Sequence, residues 1–493
     1  MTKFYLTTPL YYVNAAPHIG HSYTNIAADI LARYKRKSGF DVLFLTGTDE
    51  HGQKVERSAI EAGLSPIEFA YQTVGKFKDL WQKLDISYND FIRTTEGRHI
   101  KAVQKVLDIL YKNGDIYEAK YEGWYCTPCE TFWTEAGEDS PVCPDCKRKL
   151  EHISETNFFF KLSKYQDWLI DYFKAHPDFV LPSFRYNEAL SFIMQNKLED
   201  LCISRPKSRM NWGIEVPFSK EHVTYVWFDA LLNYISAVGF ENDQNKFKKF
   251  WPADVHFIGK DILRQHAIYW PIMLKALDLE LPGRIIAHGW WLIGERHEKM
   301  SKSKGNVVDP IEMVEKFGVD SYRYFLLRDV PFGLDGTFSE SSIIKRYNSD
   351  LANDLGNLVY RTLTMVDKYY SGNIPPCLNL AHNALIRKKL KELPQRIGQY
   401  MENLEFSSSL GAIWEVINLA NKHVEETKPW NLAKENKHDE LKDFIALLVE
   451  VIRGVAEELA PFMPETAEKI KAQFLADKAI KGAPLFPRID VTK

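Results

Sequence analysis

The pattern of apolar and polar positions changes twice along the chain, and each change marks a different kind of structure. Up to about residue 117, short apolar runs alternate with segments of helical spacing, which predicts strands and helices in turn. The unbroken apolar run at residues 41–49 is typical of a parallel strand that is buried on both faces. Runs at residues 4–8, 225–229, 255–259 and 285–289 predict further strands, and Asp261 is a candidate cap for a following helix.

Two other segments differ from this alternating pattern. Residues 118–222 contain paired cysteines and the aromatic run at 157–160, and they predict an insertion into one parent sheet. From about residue 346, apolar side chains repeat every three or four positions, which predicts a bundle of helices. Its stripes are Leu351, Leu355, Leu358, Thr362 and Met365; then Leu410, Ile413, Ile417, Ala420 and Val424; then residues 444–459. We therefore expect an α/β fold with an insertion, followed by an all-α domain.

The composition fits a large folded protein. The chain has 493 residues, of which 45% are apolar, and its formal net charge is −3. An RNA partner would therefore have to be bound by local basic patches. No apolar run approaches the ~18 residues of a membrane span, and the first residues lack the basic and apolar regions of a signal peptide. We expect a cytoplasmic enzyme with no membrane partner.

Two histidines stand at the predicted start of the first long helix. His18 and His21 are three residues apart, so both fall on one face of the first turn, where unpaired N–H groups and the helix dipole attract anions. Asn14 and Pro17 suit the capping and first-turn positions, and Gly20 would let a flat ligand approach the backbone. The alternative is a pair of ordinary helix-start histidines.

A second candidate for phosphate binding is the segment at residues 299–305, which combines lysines, serines and a glycine. Lysine supplies positive charge to such a loop, while serine and backbone groups supply hydrogen-bond donors. For a lone lysine-rich stretch, a solvated surface loop is the usual explanation.

Four of the six cysteines form two close pairs, Cys126 with Cys129 and Cys143 with Cys146. Thiolates at such spacings can surround one tetrahedral Zn²⁺, although the thirteen-residue gap between the pairs is slightly short. Four protein ligands leave no open coordination position, so the zinc would be structural. The alternative, two disulfides or unbound thiols, is disfavoured in a cytoplasmic chain.

Aromatic, acidic and imidazole side chains gather at the predicted strand ends: Tyr12, Asp49, Trp227, Asp229, Tyr234, Asp261 and His266. Each of them alone would be taken for a core or capping residue. Together they predict a pocket with apolar walls and a few polar groups. A small apolar amino acid would fit this pocket, with Asp49 facing its ammonium group.

The histidine pair and the lysine loop resemble the two signatures of class I aminoacyl-tRNA synthetases: Pro17-His18-Ile19-Gly20-His21 and Lys299-Met300-Ser301-Lys302-Ser303. Four further sequence segments look like those of the methionyl-tRNA synthetase family, at residues 8–14, 47–52, 225–230 and 256–261. The likeness covers essentially the whole chain. The two signatures lie 278 residues apart (His21 to Lys299), as a split nucleotide-binding fold requires.

The resemblance implies a Rossmann-like α/β catalytic domain that is split by a zinc-knuckle insertion and followed by an all-α helix-bundle anticodon-binding domain. The expected segments are the two halves of the catalytic domain at 1–117 and 223–293, the insertion at 118–222, the signature loop with a stem-contact segment at 294–345, and the anticodon-binding domain at 346–493. The implied reaction has two steps. ATP activates L-methionine to methionyl-adenylate, and the methionyl group is then transferred to the 3′ end of tRNA(Met), including the initiator.

The family's site residues carry over position by position. Those implied for ATP are His18, Gly20, His21, His288, Gly289, Trp290, Lys299 and Lys302, with His18, His21, Lys299 and Lys302 as the catalytic set. Those implied for methionine are Pro9, Leu10, Tyr12, Asp49, Trp227, Tyr234, Asp261, Ile262 and His266. Asn357, Arg361 and Trp430 are implied for the anticodon, and Cys126, Cys129, Cys143 and Cys146 for one structural zinc ion.

The implied ligands carry further expectations. Mg²⁺ is expected on the phosphates because ATP brings it. A thioether is a weak acceptor, so methionine would be selected mainly by shape, with Tyr234 and the Leu10 backbone as weak donors. Without the resemblance, Asn357 and Arg361 would be taken for a solvated polar face and Trp430 for a packing residue.

Three alternatives remain at this point. A class I synthetase for an aliphatic amino acid would commonly carry a larger editing insertion. A nucleotidylyltransferase can share the histidine signature but would not be expected to have the long helical domain. A non-catalytic tRNA-binding relative should have lost histidines or lysines from the signatures. Because no dimerising domain follows the bundle in this sequence, we expect a monomer.

Overall fold

The computed structural model describes residues 2–126, 131–133, 142–144, 147–294, 298–299, 308–378, 380 and 384–490. The chain forms two compact units. The first contains Met1–Pro17, Ser38–Gln82 and Ser87–His288, and the second contains His18–Lys37, Lys83–Ile86 and Gly289–Lys493. This division follows contacts in space, so the five sequence segments expected for the family stay a prediction.

The elements follow one another along the described chain. The strands are β1 (Lys3–Tyr12), β2 (Asp41–Asp49), β3 (Asp90–Arg93), β4 (Ile116–Cys126), β5 (Thr131–Trp133), β6 (Glu151–Phe160), β7 (Val180–Leu181), β8 (Leu201–Cys202), β9 (Ser204–Pro206), β10 (His222–Thr224), β11 (Val255–Gly259), β12 (Arg284–His288), β13 (Trp291–Ile293), β14 (Glu298–Lys299) and β15 (Gly336–Phe338). The helices are α1 (Ile19–Lys37), α2 (Gln53–Glu61), α3 (Pro66–Lys83), α4 (Gly97–Lys112), α5 (Gln166–Ala175), α6 (Ser183–Gln195), α7 (Val226–Leu231), α8 (Asn233–Ser236), α9 (Gln244–Phe250), α10 (Trp270–Ala276), α11 (Pro310–Phe317), α12 (Val319–Arg328), α13 (Glu340–Arg346), α14 (Asn357–Tyr370), α15 (Ala384–Glu402), α16 (Phe406–Thr427), α17 (Pro429–Lys434), α18 (His438–Leu459) and α19 (Pro464–Gln473). Single 3-10 turns lie at Leu162–Tyr165 and Lys260–Ile262, and π-helical segments lie at Gln265–Tyr269 and Tyr347–Gly356.

A six-stranded parallel sheet organises the first unit, in the order β3-β2-β1-β11-β12-β7. Chain order runs outward from β1 to β3 on one side and from β11 to β12 on the other, so the order reverses between β1 and β11. In open α/β sheets, ligands bind beyond the carboxyl ends of the strands at such a switch point. The four strands around it end at Tyr12, Asp49, Gly259 and His288.

The insertion adds an antiparallel sheet to the same unit, in the order β5-β4-β6-β8. Its aromatic residues Phe158 and Phe160 belong to one buried cluster together with Tyr5 of β1 and Ile285 of β12. The insertion and the parallel sheet therefore share a hydrophobic core, and burial of these rings ties the insertion to the sheet that it interrupts.

The strand predicted at residues 225–229 is wrong. β10 ends at Thr224, and the backbone N–H groups of Phe228 and Asp229 bond back to the Tyr225 carbonyl at 3.1 and 3.2 Å, so the run begins helix α7. A short, continuously apolar run is buried equally well as a strand or as a helix, and periodicity cannot separate the two. The other four predicted strands are confirmed as β1, β2, β11 and β12, with Gly289 just beyond the end of β12.

The second unit combines the small sheet β14-β13-β15 with helix α1 and the helices from α11 onwards. The apolar stripes predicted from the sequence lie in the π-helical segment with α14, in α16 and in α18, and their apolar side chains are buried, except that Met365 is half-buried. Within the described part of the chain, no helix combines the length and the apolar character that a membrane crossing requires.

One buried cation joins four segments of the second unit. Arg323 of α12 is fully buried, and its guanidinium donates to the Asp29 carboxylate at 2.7 Å. It also donates to the backbone carbonyls of Leu84, Pro461 and Phe462 at 3.0 to 3.1 Å. A desolvated charge is tolerated only when it is paired and hydrogen-bonded, so this arrangement fixes α1 against α12 and the turn that follows α18.

We expect Arg323→Leu to lower the free energy of unfolding by about 3–5 kcal/mol, because the buried Asp29 carboxylate would lose one of its two arginine partners and three buried carbonyls would lose their donor. Urea unfolding would measure the loss. A suitable control is Arg361→Leu, whose partner Glu425 lies 2.6 Å away with a side chain 62% exposed. That surface pair should contribute no more than about 1 kcal/mol. Equal losses in the two variants would contradict the importance of the buried pair.

Candidate functional site

The two signature histidines cap their own helix. The Nδ1 atom of His18 accepts from the backbone N–H of Gly20 at 3.1 Å, and the Nδ1 atom of His21 accepts from the backbone N–H of His18 at 3.1 Å. This is the reciprocal arrangement of a capping box, with imidazoles in place of the usual serine and glutamate. Asn14 and Pro17 were predicted to open the helix, but α1 begins only at Ile19, after His18.

These bonds assign the protons of both rings. A nitrogen that accepts a backbone N–H carries no proton of its own, so each neutral imidazole carries its proton on Nε2. The two rings are stacked with their centroids 3.9 Å apart. The start of α1 therefore presents imidazole N–H donors beside the positive end of the helix dipole, which is the chemistry that an anion requires.

The structure gives a reason for glycine at position 20 that differs from the predicted approach of a flat ligand. A Cβ atom at this position would lie 3.0 Å from Cε1 and 3.2 Å from Nδ1 of His18. The missing side chain makes room for the capping ring of His18 itself. That Gly20 also contacts ATP stays a prediction.

The other residues predicted for ATP lie around β12 and β13. His288 ends β12 in the first unit and is buried. Gly289 belongs to the second unit, where a Cβ atom would lie 2.3 Å from the carbonyl oxygen of Leu334, so no other residue fits there. The N–H of Trp290 donates to Asp335 at 2.8 Å.

The lysine signature is described in part. The backbone of Lys299 lies in β14, opposite Leu292 of β13. The side chain of Lys299 and the whole of Lys302 lie outside the described residues, so their predicted roles remain predictions.

Most of the residues predicted for methionine lie at the switch point of the parallel sheet. Tyr12 and Asp49 end β1 and β2 as directly paired neighbours, and Leu10 pairs with Gly47 two positions earlier. Between Thr7 and Leu10 the register shifts, so β1 bends where Pro9 and Leu10 stand. Asp49 is buried, with 6% of its surface exposed.

Tyr234 and His266 form a buried hydrogen-bonded pair, with Tyr234 Oη 2.8 Å from His266 Nε2. His266 Nδ1 lies 2.9 Å from the carbonyl oxygen of Ile262, which can only accept. The ring therefore carries its proton on Nδ1, and the Tyr234 hydroxyl donates to Nε2. This corrects the expectation that Tyr234 donates a proton to the methionine sulfur, because that proton is already used.

Burial keeps this pair neutral. It lowers the pKa of His266 to about 4, although the Ile262 carbonyl and the Asp261 charge oppose the shift. It also raises the pKa of Tyr234 far above its ordinary value.

A second buried histidine was not recognised from the sequence. His256 of β11 stacks on the Tyr234 ring at 4.2 Å, and its two nitrogens lie 2.7 Å from Thr7 Oγ1 and 3.2 Å from Trp270 Nε1. Burial, and secondarily the His266 charge, lowers its pKa well below the ordinary value. The signal was available, since His256 is the one polar residue inside an apolar strand of five.

Asp261 does not cap a helix as the sequence suggested. It lies in the 3-10 turn Lys260–Ile262, which is followed by the π-helical segment that carries His266. Its carboxylate approaches Gly259 so closely that a Cβ atom there would lie 2.6 Å from Oδ1 of Asp261 and 3.9 Å from Cε1 of His288. The ends of β11 and β12 therefore carry Asp261 and His288 around one glycine.

Asp229 is not an open carboxylate of a pocket. Its Oδ2 atom lies 2.7 Å from Nδ1 of His51, and its Oδ1 atom lies 2.6 Å from Nε2 of His99. All three side chains are buried. Trp227, which the sequence predicted for methionine, is half-buried two residues before Asp229 on α7. The roles of His51 and His99 were missed because the three residues are far apart in the sequence.

The loop between Asp49 and Gly52 is held by several further bonds. The Glu50 carboxylate accepts from Arg93 at 2.7 and 2.8 Å and from Thr95 at 2.7 Å. The indole N–H of Trp212 donates to the Glu50 carbonyl, and the Trp212 carbonyl accepts from the backbone of Gly52 at 3.1 Å. These bonds connect the loop after β2 to Arg93, Thr95 and Trp212.

The residues predicted for the anticodon lie on the helices of the second unit. Asn357 begins α14 and is exposed, and Arg361 follows one turn later, paired with Glu425. Trp430 of α17 is 40% exposed, so its ring is accessible and is not a buried packing residue.

The predicted zinc ligands are described for one cysteine of each pair. Cys126 and Cys143 are buried in one small cluster with Leu150, against which Trp124 packs. Lys147 has a positive φ of 60° and bonds back to the Cys143 carbonyl at 2.9 Å, which forms a tight turn at the second pair. Cys129 and Cys146 lie outside the described residues, and the described residues alone contain no complete set of metal ligands.

Comparison with protein families gives matches over both parts of the chain. A family described as tRNA synthetases class I (M) matches residues 4–152 and 139–363. The anticodon-binding domain of tRNA ligase matches residues 383–492.

Similar whole proteins carry a common name. The methionine–tRNA ligase of Clostridium acetobutylicum is 50% identical, covering 100% of this chain and 79% of that protein. The ligase of Thermotoga maritima is 44% identical over 99% of this chain and 80% of that protein. Among solved structures, methionyl-tRNA synthetase of Mycobacterium tuberculosis in complex with methionyl-adenylate superposes with a TM-score of 0.94 at 39% identity, covering 99% of this chain and 100% of that chain. Its apo form gives a TM-score of 0.87 at 36% identity, with 99% of each chain covered.

The low pKa of His266 makes stability depend on pH. The unfolded chain binds a proton near pH 6.5, whereas the folded chain binds it only near pH 4. The contribution of neutral His266 to the free energy of unfolding is therefore complete above pH 6.5. About 3 kcal/mol of it is lost as the pH falls towards 4. We expect His266→Gln to reduce this slope in urea unfolding measured at several pH values. The exposed His438→Gln should leave the slope unchanged, and a slope equal in all three proteins would contradict the assignment.

Proposed function

The chain belongs to the class I methionyl-tRNA synthetases, and on this basis we propose how its residues carry out the reaction. It is a methionine–tRNA ligase that uses ATP, with a class I catalytic domain followed by an anticodon-binding domain. The observation that carries the assignment is the 50% identity over the whole chain to a ligase of this name. The close superposition on a synthetase that holds methionyl-adenylate supports it.

The reaction needs no covalent bond to the enzyme. A carboxylate oxygen of methionine attacks the α-phosphorus of ATP, the bond from that phosphorus to the bridging oxygen breaks, and pyrophosphate leaves. A ribose hydroxyl at the 3′ end of tRNA(Met), the initiator included, then attacks the activated carbonyl, and AMP leaves. The protein contributes positioning and stabilisation of charge on the phosphate oxygens.

His18 and His21 would bind the phosphates as donors. Their Nδ1 atoms accept the backbone N–H groups of Gly20 and His18, so a neutral ring carries its proton on Nε2, and its Nδ1 could take up a proton only by losing that bond. This supports a role in charge stabilisation over a role as general base. Lys299 and Lys302 would supply positive charge to the same phosphates, with Mg²⁺ bound to ATP. Gly20, His288, Gly289 and Trp290 would contact the nucleotide.

Methionine would bind at the switch point of the parallel sheet. Asp49, buried at the end of β2, is suited to the ammonium group. The side-chain wall would be formed by Pro9, Leu10, Tyr12, Trp227, Tyr234, Asp261, Ile262 and His266. Because the Tyr234 proton is directed to His266, the sulfur would be held by shape and by aromatic contact.

The exposed polar face of α14 and the accessible Trp430 support anticodon recognition by Asn357, Arg361 and Trp430. Unstacked bases in RNA loops are bound by aromatic stacking and by hydrogen bonds to their edges.

We also propose one structural Zn²⁺, held by Cys126, Cys129, Cys143 and Cys146. The donor set fits, because Cys126 and Cys143 share a buried cluster and a tight turn follows Cys143. Bound zinc would supply crosslinking of the insertion and no chemistry of the reaction. A monomeric, cytoplasmic enzyme remains our proposal from the sequence.

The substrate assignment is tested by ATP–pyrophosphate exchange with each of the twenty amino acids. We expect methionine to give the highest kcat/KM, because the proposed site offers Asp49 to the ammonium group and a wall made largely of aromatic and aliphatic side chains to the thioether. Preference for leucine or valine would support a different class I synthetase. Absence of exchange with any amino acid would support a non-catalytic relative.

Two substitutions at His18 separate capping from catalysis. His18→Asn keeps an acceptor at the position of Nδ1 but loses the Nε2 donor, so we expect kcat of exchange to fall about 10²- to 10³-fold at nearly unchanged stability. His18→Gln keeps a group near Nε2 but loses the cap, so it should cost about 0.5–2 kcal/mol of stability and less activity. Exchange kinetics and urea unfolding measure the two effects. Wild-type activity in His18→Asn would contradict the role of His18 Nε2 as a donor.

A further inference from the structure

We propose that Asp229 is a positioning residue of the amino-acid site. In this proposal it fixes the loop that follows Asp49, the helix that carries Trp227 and the helix that carries Tyr234 relative to one another. The inference rests on the proposed roles of those three residues in methionine binding. Asp229 itself would not touch the substrate.

The first step is the geometry of the carboxylate. Both of its oxygens are used by histidines, at 2.7 Å from Nδ1 of His51 and 2.6 Å from Nε2 of His99. The exposed fractions are 0% for Asp229, 4% for His51 and 0% for His99. Since a carboxylate only accepts, each histidine carries a proton on the nitrogen that faces it. Asp229 therefore sets the orientation and the proton position of both rings.

The second step is the charge. Burial would raise the pKa of Asp229, but the charges and hydrogen bonds of His51 and His99 outweigh burial and lower it. The carboxylate is therefore ionised in a site closed to water. A buried hydrogen bond to a charged group is stronger than a neutral one, and its loss leaves a desolvated group behind.

The third step is what the network connects. His51 lies two residues after Asp49, in the loop that follows β2, and Trp227 lies two residues before Asp229 on α7. His99 of α4 continues the network through its Nδ1 atom, which lies 3.1 Å from the hydroxyl of Ser236.

Ser236 belongs to α8, the four-residue helix that also contains Tyr234. Helices as short as α7 and α8 do not hold their position by themselves, so tertiary bonds must place them. The chain from His51 through Asp229 and His99 to Ser236 provides such bonds to the segments of three predicted methionine residues.

A network that only stabilises the fold would have other consequences. Its loss would lower stability and reduce all activities together. A positioning network instead affects the substrate whose contacts it aligns. Its loss should weaken the binding of methionine and leave the binding of ATP nearly unaffected. Misplacement of a contact by about 1 Å can lower the reaction rate on the order of 10²-fold.

The central experiment is Asp229→Asn in the full chain, measured by ATP–pyrophosphate exchange. We expect the KM for methionine to rise about 10- to 100-fold, while the KM for ATP changes less than about threefold. The matched control is Asp115→Asn, which alters another buried carboxylate of the same unit, one that accepts from Lys164 at 2.6 Å and Tyr165 at 3.0 Å. We expect the control to lower stability in thermal unfolding but to keep both KM values.

The histidine partners provide variants that leave the Asp229 side chain itself in place. His51→Asn places an amide where Nδ1 stood, and His99→Gln places one near the position of Nε2. Both should keep the methionine KM within about fivefold of wild type. His51→Leu and His99→Leu remove the donors and should raise the methionine KM as Asp229→Asn does. If Asp229→Asn does not fold, these four variants decide the question.

The outcomes separate this inference from the proposed function. If Asp49→Asn raises the methionine KM but Asp229→Asn and the leucine variants do not, the methionine site stands and the positioning role is overturned. If Asp49→Asn also has no effect, the proposed methionine site itself is wrong. A parallel loss for methionine and ATP, without rescue by the amide variants, would reduce the network to a structural role.

Discussion

The packing of the second unit depends on one buried positive charge, the guanidinium of Arg323. The Arg323 guanidinium has no solvent contact, so each of its bonds must be made within the protein, and the partners come from α1, from residues 83–86 and from the turn after α18. Helix α1 begins at the signature histidines, about three turns before Asp29. The placement of this helix within the second unit therefore depends on Arg323, which lies 294 residues after Asp29 in the chain.

The first unit uses the same principle with the opposite sign. There the buried carboxylate of Asp229 collects two histidines, one from the loop after β2 and one from α4. The neutral pairs of Tyr234 with His266 and of His256 with Thr7 lie in the same unit. In each case hydrogen bonding fixes which nitrogen carries the proton. The chemistry of the site is therefore set by proton positions as much as by the identities of the side chains.

Local patterns predicted much of the fold. The buried run at 41–49 became β2, and the stripes of α16 and α18 became buried helix faces, because burial of a continuous or periodic apolar face decides such elements. The run at 225–229 was misassigned because both structures bury it equally well. The Asp261 cap failed because that residue lies within a 3-10 turn.

The candidate site could be predicted only where its residues belong to recognisable sequence motifs. His18, His21, Asp49 and Trp227 were predicted from the helix start, the strand ends and the resemblance, but the bonds that orient the site were not. Asp229 lies 130 residues from His99 and 178 from His51, and Arg323 lies 294 residues from Asp29. No spacing rule in the sequence pairs such residues, since the contacts exist only after the sheet and the bundle have formed.

The interleaving of the two units has a consequence for how this chain can be divided. Residues 18–37 and 83–86 are covalently flanked by the first unit, yet they pack with residues 289–493. A cut after His288 would strip α1 of the partners that bury Asp29, so the N-terminal piece is no independent module. Recombination between relatives meets the same limit. In a hybrid, α1 and the C-terminal half must come from the same parent, so that Asp29 and Arg323 still form the buried pair.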